Sequence, residues 1–278
     1  MRVLKGLFRS PAFLFGFGIF FGTVLLGLLG PVFLHIDAAA RVGLPYSPPG
    51  PGHWLGTDHF GRDMFSLLVT GLRSSLLVGF VAGTVATILG TLIGVYGGYR
   101  GGLLDDVLTV GTNLFLVIPS LIVLILLSSS LEKGRSLWLI ALIIGCTTWT
   151  WSARAVRAQS SSLRGRDHVA LARINGFGTL EIVLLHILPY LLSYVFMVFI
   201  LQTAEGILAE ASISMLGLGP YDSVSLSKIL NEAIRNEALT DGAWWAFIPA
   251  TMLITAVAFS LYVLNTSMEG VFNPRLRK

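Results

Sequence analysis

Runs of roughly twenty apolar residues, the length at which a helix crosses bilayer hydrocarbon, dominate this chain, and the stretches between them hold most of its charge. Six transmembrane helices are predicted, at Ala12–Leu34, Ser75–Gly98, Val107–Ser129, Leu137–Ala153, Tyr190–Ala209 and Trp244–Leu264. The fourth is the shortest. Trp138, Trp149, Trp151, Trp244 and Trp245 fall at the predicted ends of the fourth and sixth spans, where indole rings favour the headgroup level. Within the second run, Gly90, Gly94 and Gly98 recur at every fourth residue, a spacing that lets helix backbones approach closely. Asn113 and Pro119 interrupt the third, and Pro119 predicts a kink.

Two connecting stretches are long. Residues 35–74 read as an extracytoplasmic loop, irregular in its first part because Pro45, Pro48, Pro49 and Pro51 stand among glycines. Residues 154–188 contain no proline and read as short helices. Asp167 is placed to cap a helix over His168–Asn175, and Gly176 suits the left-handed residue that ends one, with Phe177 and Gly178 following. Thr179 is placed to cap the next helix, which carries Glu181 in its first turn, and Pro189 kinks or ends that segment at the fifth span. The first short helix carries Val169, Ala170, Leu171, Ala172 and Ile174, too apolar a set to face water all round. Two readings stay open: packing against the protein's own helix ends or lipid, or a knob for a groove on a cytoplasmic partner. The expected division is therefore a cytoplasmic segment 1–11, a first span 12–34, an outer loop 35–74, and a five-helix core 75–278 interrupted by the inner loop 154–188.

Charge orients this arrangement. Six spans place both termini on one side, together with Arg2, Lys5, Arg9, Arg100, Arg154, Arg157, Arg164, Arg166, Arg173, Arg275, Arg277 and Lys278. The opposite side holds Arg41, Arg62, Arg73, Lys133, Arg135, Lys228 and Arg235. Basic residues accumulate in short cytoplasmic loops, so both termini are expected in the cytoplasm of a prokaryotic cell, with the chain in its inner membrane. Ala38-Ala39-Ala40 mimics a signal-peptidase site after a basic start, but the apolar stretch exceeds the core of a signal peptide, so a retained first span is expected. Composition agrees: charged residues are 12%, hydrophobic residues 54%, mean hydropathy +0.78 and net charge +4, too little polar surface for a water-soluble globule. The single cysteine, Cys146, excludes an internal disulfide and reads as a small buried thiol.

Candidate chemistry is sparse. The chain has no G-x-x-x-x-G-K-[ST] loop to cradle phosphates and no H-E-x-x-H helix for zinc. His35, His53, His59, His168 and His186 lie in loops or at span edges, and Asp58, His59 and Asp63 read more simply as an Asp-stabilised turn than as a metal site. No catalytic residue and no metal is expected. Glu205 and Glu210 are costly charges toward the outer end of the fifth span, where the cost falls, and, five residues apart, they do not share a helix face. Either they line a water-filled path, with Asn113 as a further candidate, or they are structural groups bonded to their neighbours. An ion-coupled transporter using one of these carboxylates, and a membrane-embedded hydrolase, are the other function classes weighed. The first lacks visible inverted repeats and the second lacks a mid-membrane nucleophile–base pair.

The run ALARINGFGTLEIVLLHILP, Ala170 to Pro189, resembles the EAA loop of ABC importer permeases. LGTDHFGRD (Leu55–Asp63), GLRSSL (Gly71–Leu76), YGGYRGGLLDD (Tyr96–Asp106), SARAVRAQ (Ser152–Gln159), ILAEASISMLGLG (Ile207–Gly219) and FNPRLRK (Phe272–Lys278) together resemble, in order, the C-type subunit of the dipeptide/oligopeptide permease family. The resemblance implies a type I ABC importer-like, all-α fold with six transmembrane helices. It implies a non-enzymatic subunit that forms the path by alternating access with a second homologous permease subunit. Two cytoplasmic ATPase subunits holding ATP and Mg would drive it, and an extracytoplasmic solute-binding protein would deliver di- or oligopeptides. Related systems carry oligosaccharides or nickel chelates. No nucleic acid is implied, and membrane lipid is the surrounding partner. The ATPase would dock on Asp167, Val169, Ala170, Leu171, Ala172, Ile174, Gly176, Phe177 and Gly178. Two departures stand out. Ala170 replaces the glutamate of the EAA motif and Leu171 its first alanine, and Val224-Ser225-Leu226-Ser227 replaces a Pro–Ser–Trp–Gly-like stretch.

Overall fold

A computed structural model describes residues 7–33, 36–131 and 134–272, and among these the regular structure is helical with no strand. Arg2, Lys5, His35, Lys133, Arg275, Arg277 and Lys278 lie outside the described residues. In chain order the elements are α1 (Pro11–Phe33), α2 (Met64–Arg100), α3 (Gly102–Val117), α4 (Ser120–Ser130), α5 (Leu137–Arg164), α6 (Asp167–Ile174), α7 (Thr179–Glu181), a π-helical turn (Ile182–Ile187), α8 (Leu188–Met215), α9 (Leu226–Arg235), a 3-10 turn (Trp244–Ala246) and α10 (Ile248–Phe272). Among the described residues, five helices are long and apolar enough to cross a membrane, and α3 with α4 passes the same test together as a bent pair, the geometry of a broken span or a re-entrant loop.

The spans differ from their predicted bounds for identifiable reasons. α2 starts at Met64, inside the expected outer loop 35–74, because Asp63 caps it: its Oδ2 accepts from the Ser66 backbone N–H at 2.8 Å and the Ser66 hydroxyl at 2.6 Å. The core therefore begins before residue 75. α5 runs on to Arg164, so residues 154–164 of the expected inner loop are helix. The third span breaks at Pro119, where Ile118 is extended and the two halves bend by 77°. Proline excludes the helical conformation from the residue before it. Pro189 does not end its helix. It follows a π-helical turn that accommodates its ring and missing N–H, and a single apolar helical stretch runs over Thr179–Met215.

α2 is the axis of the bundle, with α5 on one side and α8 on another. The predicted small-residue stripe is the first contact. A Cβ on Gly94 would stand 2.5 Å from the Ala153 carbonyl, one on Gly98 2.6 Å from the Arg157 carbonyl, and one on Gly90 would overlap Ser152. That closeness lets Ser152 donate to the Ala86 carbonyl at 3.1 Å and Ser160 to the Val95 carbonyl at 3.0 Å, bonds between helices that replace the hydrophobic drive lipid does not supply. Gly79 and Gly83 do the same against Thr203 of α8. α1 lies outside this core, with Gly16 against Val263 of α10 and Gly30 against Val69 of α2. The start of α1 and the later part of α10 therefore share a side.

Side-chain bonds fix which ends lie together. At one face the end of α2 meets α7, where Arg100 donates to Thr179 Oγ1 at 3.2 Å. At the other, the start of α5 meets the segment before α9: Tyr221 N–H donates to the Arg135 carbonyl at 2.9 Å and Leu137 N–H to Asp222 at 3.1 Å. The loop before α2 sits on this second face. Trp245 is 8% exposed, packed within the protein, and its Nε1 donates to the Thr57 carbonyl at 3.1 Å. Trp149 and Trp151 lie within α5, not at its end, and Cys146 is exposed on the apolar outer surface of α5 instead of buried.

Candidate functional site

Three places gather the residues singled out by the sequence. The first is the α6–α7 corner. α6 begins at Asp167, so Asp167 occupies the first turn, where its charge suits the helix dipole, and Arg166 holds the cap position without a side-chain bond. The helix ends in a Schellman arrangement: Gly176 has φ +82°, its N–H donates to the Arg173 carbonyl, and the Phe177 N–H returns to the Ala172 carbonyl at 3.1 Å. Gly178, not Thr179, then caps α7, with its N–H donating to the Glu181 carboxylate at 2.8 Å.

This corner has two apolar faces. Val169 and Ala172 are buried in a cluster with Val95, Tyr99, Val156, Ile182 and Ile187. Leu171, Ile174, Phe177 and Leu180 are 60%, 80%, 40% and 67% exposed, and Ala170 is exposed beside them. Val169 and Ala172 pack on the protein's own helix ends, as the first reading has it, and the opposite side of the corner is uncovered. The element is braced rather than loose: His168 stacks on Tyr190 at 4.5 Å, and Arg173 lies over the Tyr99 ring at 5.2 Å. Just behind it, Arg157 makes a two-pronged bond to Asp105, at 2.5 and 2.8 Å, which ties α5 to α3.

The second place is a vestibule of about 500 Å³ where α3 and α4 break apart. Its wall includes Phe115, Pro119 and Ser120 from the break, Thr147, Thr148 and Trp151 from α5, Gln202 and Glu205 from α8, and Tyr262 from α10. The wall is thus built from the break itself and from the interiors of α5, α8 and α10. Gln202 is held by a 3.0 Å bond to the Thr148 carbonyl, whereas Glu205 is exposed to the space. Asn113 is elsewhere. Its Oδ1 accepts from Arg154 at 2.7 Å, beside a separate cavity of about 250 Å³ between α2, α3 and α5 that Arg157 also borders.

Of the two alternatives open for Glu205 and Glu210, the surroundings of Glu210 fit the structural group bonded to its neighbours. It is fully buried, and its carboxylate accepts from Ser214 at 2.6 Å and from Ser225 and Ser227 at 2.8 Å each. Leu226 N–H donates to Ser75 Oγ at 3.2 Å, so this knot joins α8, α9 and α2. The physical reason is the cost of a buried carboxylate: hydroxyls converge on it where water is absent. The Ser225–Ser227 pair, noticed in the sequence only as a departure, supplies two of the three donors. Gln202, Thr148, Tyr262 and Leu180 were not singled out. A polar residue three positions before Glu205 was the available sign for Gln202, since the two fall on one helix face. Asp58 and Asp63 are structural: Asp58 pairs with Arg62 at 2.5 Å, which also reaches Glu232 at 3.0 Å, and Asp63 caps α2.

Comparison with known proteins agrees with this geometry. Residues 86–278, well over half the chain, match the family described as the binding-protein-dependent transport system inner membrane component. The chain is 30% identical to the oligopeptide transport system permease protein OppC of Bacillus subtilis (strain 168), over 92% of this chain and 83% of that protein. It is 28% identical to the dipeptide transport system permease protein DppC of the same organism, over 91% and 79%. It is also 30% identical to the oligopeptide transport system permease protein OppC of Lactococcus lactis subsp. cremoris (strain SK11), over 82% and 78%. Matched by that family over residues 86–278, and built of apolar helices long enough to cross a membrane, this chain belongs to the family of inner-membrane components of binding-protein-dependent transport systems.

Proposed function

We propose that the chain is one of two permease subunits of an ATP-driven importer of di- or oligopeptides, and that α6 and α7 receive the motor. The observation that carries this reading is the division of α6. Val169 and Ala172 anchor it to the bundle while Leu171, Ile174 and Phe177 stand uncovered. A rigid element with one face fixed and an apolar face presented suits the transmission of force from a groove on a partner. Asp167, Ala170, Gly176 and Gly178 shape the element and its turn. Ala170, where related permeases carry glutamate, removes one polar contact and keeps the helix.

In this reading two ATPase subunits hold ATP and Mg in the cytoplasm, and this chain binds neither. Their closure pushes α6. Because α6 is packed on the inner ends of α2 and α5 and continues through α7 into α8, the push reaches the vestibule wall as movement of whole helices. A second, homologous permease subunit closes the open side of the vestibule. A solute-binding protein delivers cargo at the outer face formed by residues 36–63 and α9. Segment 1–11 lies in the cytoplasm. Peptides are the cargo because the peptide permeases above match over nearly the whole chain.

The test is reconstitution. The chain, its co-expressed partner permease and ATPases, and the binding protein are placed in proteoliposomes, and uptake of a labelled dipeptide is followed with and without ATP. ATP-dependent uptake that fails for an Ile174→Asp variant, with the variant's thermal stability intact, is the expected result. Uptake driven by a proton gradient without ATP contradicts the reading.

A further inference from the structure

We infer that Glu205 binds an ammonium group of the cargo and makes the vestibule selective for it, an inference that rests on the peptide-importer reading above. A carboxylate at this depth is expensive to place in a membrane unless it faces water or a partner. Glu205 lies near the middle of α8, level with the break at Pro119, with Thr148 midway along α5 and with Tyr262 midway along α10. It is exposed to the cavity and has no ion pair among the described residues. This contrasts with Glu210, one and a half turns along the same helix, whose carboxylate is enclosed by hydroxyl donors.

The rest of the wall leaves that charge uncompensated. Among the described residues, no lysine, arginine or histidine lines the vestibule. Thr147 shares its hydroxyl proton between the Ile143 and Ile144 carbonyls, and Thr148 gives its proton to the Ile144 carbonyl, all at 2.9 Å, so both oxygens remain available only as acceptors. Gln202 spends its amide on the Thr148 carbonyl. Phe115, Trp151 and Tyr262 add aromatic faces, which attract cations. A single carboxylate beside hydroxyl oxygens and aromatic rings, in a space open on one side, fits an alkylammonium and repels a carboxylate. The inner cavity beside Asn113 has the opposite character, since Arg154 and Arg157 border it.

An ammonium reaches the vestibule either as the peptide's N-terminus or as a lysine side chain, and uptake distinguishes them. The full transporter in proteoliposomes is given trialanine, alanyl-lysyl-alanine and alanyl-norleucyl-alanine. Variants are Glu205→Gln, Glu205→Asp, and Thr148→Lys, which keeps Glu205 but places a competing ammonium opposite it. Loss of uptake efficiency by about tenfold for all three peptides in Glu205→Gln and Thr148→Lys, recovered in Glu205→Asp, assigns the N-terminal ammonium. Loss confined to the lysine peptide assigns the side chain. Unchanged uptake of every peptide in Glu205→Gln, or in Thr148→Lys should the first variant not assemble, overturns the inference while the importer reading stands. Failure of the unmodified transporter to carry any of the three overturns the importer reading, and the inference with it.

Discussion

Glu210 and Glu205 show how one residue type takes two roles within a single helix. Glu210 is a knot: three hydroxyls point at its carboxylate, and α9 is held to α8 and α2 through it. Replacing it with alanine leaves those hydroxyls buried without an acceptor, at about 1–3 kcal/mol for an unsatisfied group. The Glu210→Ala variant is expected to unfold at lower temperature in detergent and to assemble poorly. The fraction that does assemble should keep the unmodified substrate preference. A normal melting temperature with altered preference would remove the structural role. Gly176 is a conformational counterpart. Its φ of +82° favours glycine, yet a Cβ there would meet open space. Gly176→Val is therefore expected to weaken the turn by about 1–2 kcal/mol through backbone strain alone, and Gly176→Asn to be milder. ATPase retention on affinity purification, compared between the two variants, measures this.

At the scale of elements, the glycine stripe of α2 and the corner of α6 make separable predictions. Gly94 faces the α5 backbone, whereas Gly22 of α1 has nothing within 4 Å of its Cβ position. Gly94→Val should destabilise the bundle and Gly22→Val should not, as read by thermal unfolding of the purified chain. Equal melting of both variants contradicts the close packing of α2 on α5. On α6, Val169→Asp buries a charge at a 0% exposed position, and should lower both stability and ATPase retention. Ile174→Asp, at an exposed position, should lower retention only. Much of this scale was legible in the sequence. Apolar run length marked the spans, and the four-residue spacing of Gly90, Gly94 and Gly98 marked a face of close helix approach without identifying α5 as its partner. Helix ends were less legible, because Asp63 as a cap and the extension of α5 to Arg164 depend on polar residues that also suit loops. The π-helical turn before Pro189 had no local signal at all.

At the scale of the whole molecule, the sequence placed charge and order but not the partners of its buried polar groups. Glu205 and Glu210 were both visible as costly. Which one faces a cavity was not, because it depends on where Ser225, Ser227 and the broken span come to lie. The resulting molecule has a braced apolar corner at one end, a vestibule at mid-depth and a tightly bonded loop and α9 at the other end. Its central claim is that the corner faces the cytoplasm and is covered by an ATPase. Maleimide labelling of an Ile174→Cys variant, made in a Cys146→Ser background, tests this most directly. A membrane-impermeant reagent should leave the site unmodified in intact cells, modify it in inside-out vesicles, and lose access when the ATPase subunits are co-expressed. Modification from outside intact cells, or equal modification with and without the ATPase, would contradict the account.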